Sequence, residues 1–290
     1  MRVFLLTALT MVAFASNSLL NRAALAGPHI DAISFGTIRL IAGAVALGIL
    51  MVAMRGALRL GGAGRIGGVV GLMLYLYAFS VAYVTLDAGL GALILFGTVQ
   101  ITMFAGSLMG GERPPLLRWL GAALAFSGLA WLLWPGPDAQ TSVLHAGAMV
   151  VAGIGWGIYS LAGRKASDPL MATAANFILC APLGVLVGLA MPVQIDPIPM
   201  TGWGIALAVV CGAVTSGLGY ALWYRVLPDL PGTVAAVAQL TVPIIAMAGG
   251  MLFLGEALTV DFAIAAVVVL GGVGLSLIRG QGKAGSTRKP

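Results

Sequence analysis

Ten apolar stretches, separated by links too short to hold a soluble domain, constrain this chain more than any other feature. They run over 3–21, 32–54, 67–85, 88–109, 116–134, 144–163, 171–191, 201–226, 232–254 and 259–278. A membrane-crossing helix needs about 20 such residues, because each adds about 1.5 Å and the hydrocarbon is about 30 Å thick. The charge content agrees: 60% of the 290 residues are hydrophobic and 8% charged, against roughly 45–50% and about 25% in soluble domains. So few charges cannot solvate the surface around so apolar a core. That excludes a soluble enzyme, a nucleic-acid-binding module and a secreted disulfide scaffold; Cys180 and Cys211 both lie inside apolar stretches. The fold class expected is all-α, a polytopic membrane protein of ten transmembrane helices.

Basic residues set the expected orientation, since Lys and Arg concentrate on the cytoplasmic side. Of the 15 Lys and Arg, all but Arg22 and Arg39 fall on one side when both termini are placed in the cytoplasm. Arg22 lands on the far side, and Arg39 lies inside the second span. The basic tail 279–290 reads as a cytoplasmic anchor of topology.

The chain also repeats itself. Thr98-Val99-Gln100-Ile101 matches Thr241-Val242-Pro243-Ile244; Ala105-Gly106 and Ala248-Gly249 follow, then Gly111-Glu112 and Gly255-Glu256. Upstream, the stretch from Phe14 to Arg22 matches that from Trp156 to Arg164. Two units of five spans result, 1–134 and 144–278, joined by a periplasmic linker over 135–143. Five is odd, so the second unit enters the membrane the opposite way round, giving two inverted five-helix repeats with a site expected near the midplane. The repeat pairs the first span with the sixth. It therefore argues against a cleaved leader, although Ala24-Leu25-Ala26 imitates a cleavage site.

The run Gly219-Tyr220-Ala221-Leu222-Trp223-Tyr224, Thr241-Val242-Pro243 and Leu254-Gly255-Glu256-Ala257-Leu258-Thr259 resembles the signature of the EamA branch of the drug/metabolite transporter superfamily. The first half gives a looser copy ending Gly110-Gly111-Glu112-Arg113. The resemblance implies a ten-helix inner-membrane transporter with its cavity between helices 1–4 and 6–9 and helices 5 and 10 at the periphery. It also implies export of amino acids or other small metabolites. Gln100 departs from the pattern by standing where the second repeat, like the family, has proline, so an amide there is a candidate for tuning selectivity.

Polar groups inside hydrocarbon are costly and face protein or water, which selects the substrate-binding candidates. Arg39 lies about 10 Å below the outer boundary, whereas the matching place in the seventh span reads Phe177-Ile178-Leu179-Cys180. A cation in one half only suits a substrate carboxylate; a structural arginine that snorkels outward is the alternative. Tyr75, Phe79 and Tyr83 share one helical face at i, i+4 and i+8, and Trp156 and Tyr159 share another. Together with Tyr77 these rings suit an apolar or aromatic solute, while Trp223 and Tyr224 read as interfacial anchors. Asn17, Gln100, Asn176 and Gln239 complete the set as hydrogen-bonding groups, with interhelical bonding as their alternative role. Pro243 removes a donor and is expected to kink or open the ninth helix as a gating element. Pairs such as Gly67/Gly71 and Gly153/Gly157 are expected to let helices approach closely.

No Asp or Glu falls at a midplane position, where proton- or sodium-coupled carriers hold one; facilitated diffusion or exchange is therefore expected. Glu112 and Glu256 read as helix-end residues that pair with arginine or cap backbone donors. Gly62-Ala63-Gly64-Arg65-Ile66-Gly67 matches a dinucleotide fingerprint only in letters, because no strand precedes it. His29 and His145 have no metal-like spacing, and no catalytic constellation can be assembled. The expectation is a transporter rather than an enzyme, without cofactor or metal and without a nucleic-acid partner, lying in a bacterial-type inner membrane. Within the family the rings and Arg39 lean toward the YddG-like exporters of aromatic or neutral amino acids. Alternatives are a translocator of lipid-linked or amphipathic metabolites and a non-transporting assembly or binding protein. A monomer is expected to suffice, with a homodimer as the alternative.

Overall fold

The computed structural model describes residues 1–111, 114–132, 142–164, 166–190, 198–226, 229–230 and 238–277. They form ten spanning helices: α1 (Arg2–Leu25), α2 (Ala32–Arg55), α3 (Arg65–Ala82), α4 (Ala88–Met109), α5 (Leu116–Leu132), α6 (Val143–Gly163), α7 (Pro169–Ala190), α8 (202–226), α9 (Thr241–Leu254) and α10 (Val260–Leu277). Seven are long and apolar enough to cross a bilayer; α5, α9 and α10 are shorter apolar helices. Helices are what such a sequence must form, because lipid offers no partner to an unpaired backbone group. Links between them are short and use residues suited to helix ends. Asp31 accepts the N–H groups of Ile33 and Ser34 at 3.0 and 2.9 Å to start α2. Gly56 and Gly255, at φ 63° and 68°, end α2 and α9 in the left-handed conformation that glycine adopts without strain. Of Gly111-Glu112, which follow α4, only Gly111 lies among the described residues; residues 135–141 of the expected linker and the whole tail 279–290 also lie outside them.

Helix packing shows the two units. α3 lies against α6 and α1 against α8; α4 meets α6 and α1 meets α9; α2 meets α7, α4 meets α9 and α5 meets α10. Shifting every helix number by five maps this set onto itself, as an inverted repeat requires. α5 and α10 pack chiefly on each other and on α4, outside the centre. α3 crosses α6 closely, where a Cβ on Gly71 would stand 2.7 Å from Gly155 O and Tyr159 N. Gly153 and Gly157 receive Thr98 and Thr102 of α4 in the same manner, so this pair and Gly71 are close-packing positions, whereas Gly67, 3.5 Å from Ala162 Cβ, makes ordinary contact.

Two features differ from a plain ten-helix reading. α9 is regular only from Thr241, after a turn at Leu240, and Pro243 stands in its first turn. A proline costs little there, because a first-turn N–H has no intrahelical acceptor to lose. The helix is thus interrupted before Pro243 and is not bent at it. The middle of α8, Cys211–Leu218, is a π-helix, a widened turn that sequence periodicity does not announce and that recurs at functional positions.

The described interior is apolar apart from a set of neutral polar side chains and one charged one. Among fully buried side chains the largest is Arg39, ahead of Tyr83, Phe35, Phe79 and Phe177. Exposed Leu5, Ile49, Ile66, Leu186, Leu252 and Phe253 belong to the lipid-facing surface.

Candidate substrate site

Arg39 does not snorkel: it is 0% exposed, and it points into the meeting place of α1, α2, α3 and α8. Its Nε donates to Ser216 Oγ at 3.1 Å. Its Nη2 donates to Asn17 Oδ1 at 3.1 Å and to Tyr75 Oη at 3.2 Å. Nη1 has no hydrogen-bond partner among the described residues, and neither has the buried hydroxyl of Tyr220. The guanidinium also lies over the rings of Tyr75 and Phe79, 5.4 and 5.2 Å from their centroids, within cation–π range.

Local structure explains how α8 reaches this arginine. The π-helical turn brings Cys211, Thr215 and Ser216 toward Asn17 Oδ1, which accepts from them at 3.3, 2.8 and 3.0 Å. Gly212 makes the approach possible, since a Cβ there would collide with the carbonyl of Arg39 itself. A second asparagine, Asn21, donates to Cys211 Sγ at 3.4 Å and accepts from Ser80 Oγ at 3.1 Å. The result is a polar belt across α1, α2, α3 and α8 made wholly of neutral partners around one cation.

Rings continue the belt in both directions. Tyr83 packs on Phe79 and Phe79 on Tyr75, with centroids 4.7 and 5.1 Å apart. Trp156 stands against Tyr75, Tyr159 and Tyr220 at 4.8, 5.2 and 5.2 Å. Phe14 then joins Tyr220 to Trp223. Trp223 is thus a buried member of this series, where an interfacial anchor was expected. Asn17, Arg39, Phe79, Tyr83, Trp156 and Tyr159 are brought together, although Tyr159 Oη is held by Thr173 Oγ1 at 2.7 Å.

The remaining candidates lie elsewhere. Tyr77 turns to the other side of α3, hydrogen-bonded to Thr37 Oγ1 at 2.8 Å. Asn176 accepts from Arg65 Nη1 at 2.6 Å and ties α7 to α3. Gln100 lines a separate crevice of about 210 Å³ with Phe104, Arg118 and Arg164, beside the peripheral helix α5. Gln239 is half-buried just before the α9 interruption, and Pro243 is buried just after it. Thr215, Ser216 and Tyr220 were absent from the sequence candidates for direct contact. The i, i+4, i+8 spacing already marked Tyr75, whereas nothing in the sequence announced the π-helical turn behind Thr215 and Ser216.

A second charged group stands at the bundle end opposite the N-terminus. Arg22 donates to the carbonyls of Tyr83 and Val84 and pairs with Asp87 and Glu256, each at 3.5 Å. Both Glu256 oxygens accept the N–H of Ala88, at 2.8 and 3.0 Å, capping α4 from the α9–α10 turn. Burial pushes the Glu256 carboxyl above the usual glutamate range; the Ala88 N–H and Arg22 oppose this, and Asp87 adds to it. At the other end Arg55 pairs with Asp168 at 3.2 Å. No group of three or more His, Cys, Asp or Glu able to hold a metal ion occurs among the described residues.

The EamA-like transporter family matches residues 145–278, the half that carries the fuller signature. Over 284 residues the chain is 44% identical to the uncharacterized protein PA1977 of Pseudomonas aeruginosa, covering 98% of this chain and 97% of that protein. The chain belongs to the EamA-like transporter family. This EamA member is therefore a multi-pass membrane transporter of the drug/metabolite transporter superfamily and not an enzyme. It is also 29% identical over 197 residues to the threonine/homoserine exporter RhtA of Escherichia coli, covering 66% of this chain and 62% of that one. A solved crystal structure of 17% sequence identity shares the fold with a TM-score of 0.65, covering 95% of this chain and 96% of that chain.

Proposed function

We propose that this EamA-family transporter exports neutral or aromatic amino acids, or similar small carboxylate-bearing metabolites, across a bacterial inner membrane. Transport is by alternating access of the repeats 1–134 and 144–278, facilitative or by exchange, with both termini cytoplasmic and the monomer sufficient. Binding is assigned to Asn17, Arg39, Phe79, Tyr83, Trp156 and Tyr159, joined by Tyr75 and Tyr220; the interruption before Pro243 and the nearby Gln239 serve the movement of α9.

The observation that carries this reading is the unpartnered Nη1 of a fully buried arginine at the meeting point of four helices, bordered by rings. Leaving a buried donor unmade costs about 1–3 kcal/mol, more for a charged group, a cost that a bound acceptor removes. The exporter named among the relatives supports the direction of flux and the amino-acid class. The test is counterflow in proteoliposomes preloaded with mixed unlabelled amino acids and offered labelled tryptophan, phenylalanine and threonine, with and without a pH gradient. Uptake indifferent to the gradient is expected. Gradient-dependent uptake overturns the facilitative part, and absence of flux for every label and for carboxylate metabolites overturns the whole.

A further inference from the structure

The charge balance around Arg39 selects between the two substrate classes of this reading, on which it rests, and favours the carboxylate-bearing metabolites over the amino acids. We infer that the species bound and moved is a net monoanion, a carboxylate on a small apolar or aromatic body with no fixed cationic group.

All three partners of the Arg39 guanidinium are neutral: Ser216, Asn17 and Tyr75. The described carboxylates lie elsewhere. Asp31 is spent capping α2, Asp87 and Glu256 face Arg22, Asp168 faces Arg55, Asp229 pairs with Arg225, and Asp261 stands in the first turn of α10. The unit charge on Arg39 is thus uncompensated by any described carboxylate, in an interior where charges are expensive to hold. A single carboxylate placed on Nη1 cancels it. A zwitterion brings its own ammonium with that carboxylate, so the site would keep a net positive charge and would need a second acidic group for the ammonium.

The aromatic faces do not substitute for that missing acid. Tyr75 and Phe79 are already engaged by the Arg39 guanidinium, and Tyr83 is closed by Phe79 on one side and by Gly91, which packs against its ring. Both unmade polar atoms suit an anion: Nη1 can only donate, and the Tyr220 hydroxyl can donate as well. They are linked through the Tyr75–Trp156–Tyr220 ring series, and partly buried Trp156 is the surface left for an apolar body. A dianion would overcompensate a single cation, so phosphate esters fit less well than monocarboxylates.

Phenylpyruvate and phenylalanine make the test direct, because they share ring and carboxylate and differ by a ketone against an ammonium. Proteoliposomes preloaded with one or the other are offered the labelled compound at neutral pH. In parallel, thermal unfolding of the detergent-purified full chain is followed with each added. Exchange of phenylpyruvate at least tenfold faster than phenylalanine is expected, with thermal stabilisation by phenylpyruvate alone. Equal or faster exchange of phenylalanine overturns the monoanion inference and leaves the proposed transporter reading intact. Flux of neither compound, with no thermal shift, overturns the inference. If the counterflow of the other amino acids also fails, the proposed function falls with it. Arg39→Gln is expected to lower the phenylpyruvate flux on the order of 100-fold and to remove its thermal shift. Should that variant fail to fold, the paired thermal shifts of the unmodified protein still decide.

Discussion

Arg22 and Arg39 are the two basic residues outside the one-sided pattern expected of the others, and the structure treats them in opposite ways. Arg22, at the end of α1, has two carbonyls and two carboxylates around it, and its side chain is 20% exposed. Arg39, inside α2, has three neutral acceptors, one empty nitrogen and no exposure. A buried cation with matched carboxylates is a structural element; a buried cation without them is stable only as part of a larger balance. The first arginine ties helices together; the second is the one to which the proposed function assigns the substrate.

Exchanging each arginine for glutamine breaks this comparison most severely. Arg39→Gln is expected to lower exchange of the transported carboxylate on the order of 100-fold, as removing one partner of a buried charge-assisted contact costs about 2–5 kcal/mol. Arg22→Gln is expected to keep transport within about tenfold, because a partly exposed ion pair contributes roughly 1 kcal/mol. Equal losses from both would mean that Arg39 is structural as well. The readout is initial exchange rate in proteoliposomes at matched protein incorporation.

Asn17→Asp sharpens the contrast by giving Arg39 the carboxylate that Arg22 already has. The substituted oxygen would keep the place that accepts from Arg39, Thr215 and Ser216. Thermal stability is expected to rise by a few degrees while exchange falls about 30-fold, since an internal carboxylate competes with that of the substrate. A loss of both stability and transport would show that the belt cannot accept a charge and would remove the substrate from the explanation.

Much of this was legible before any coordinates. The ten spans follow from the length of each apolar run, and the peripheral place of α5 and α10 followed from the family resemblance. Arg39 stood out because hydrocarbon makes any charge informative. Tyr75, Phe79 and Tyr83 fell on one face by helical spacing, and two residues of offset sufficed to turn Tyr77 to the other side. What stayed hidden depends on backbone geometry or on partners distant in sequence. The π-helical turn of Cys211–Leu218 leaves no periodic mark, so nothing in the sequence singled out Thr215 and Ser216. Asn176 looked like a cavity group until Arg65, from another helix, was found on it. Glu256 was expected at a helix end, but the helix it caps, α4, begins 168 residues earlier.

That cap allows a smaller test on the Arg22 side of the comparison. Asp87, the residue preceding α4, makes no side-chain cap bond, so Glu256 alone serves the Ala88 N–H with a side chain. Glu256→Ala is expected to cost about 1–2 kcal/mol, the usual value of an N-terminal cap. Thermal unfolding should drop by a few degrees with transport little changed. No drop would mean that the α1–α4–α9 tie holds without this carboxylate.

The smallest expected effect separates the charge of Glu256 from its hydrogen bond. Its pKa is raised above the ordinary 4.5, by burial first and by Asp87 as a lesser cause, against the pull of the Ala88 N–H and Arg22. The folded protein therefore holds this proton more tightly than the unfolded chain does. Stability from this group is gained as pH falls from neutral through the raised folded value toward 4.5, and lost as pH rises through it. Glu256→Gln keeps an acceptor for Ala88 while fixing the neutral state. Its unfolding temperature should equal or slightly exceed that of the unmodified protein at neutral pH, and the difference should close as the pH approaches 4.5. Had attraction to Arg22 outweighed burial, the sign would reverse: the glutamine variant would be the less stable at neutral pH, and acid would destabilise the unmodified protein. The direction of that difference thus measures whether burial of this carboxyl outweighs the pull of the Ala88 N–H and Arg22 on it.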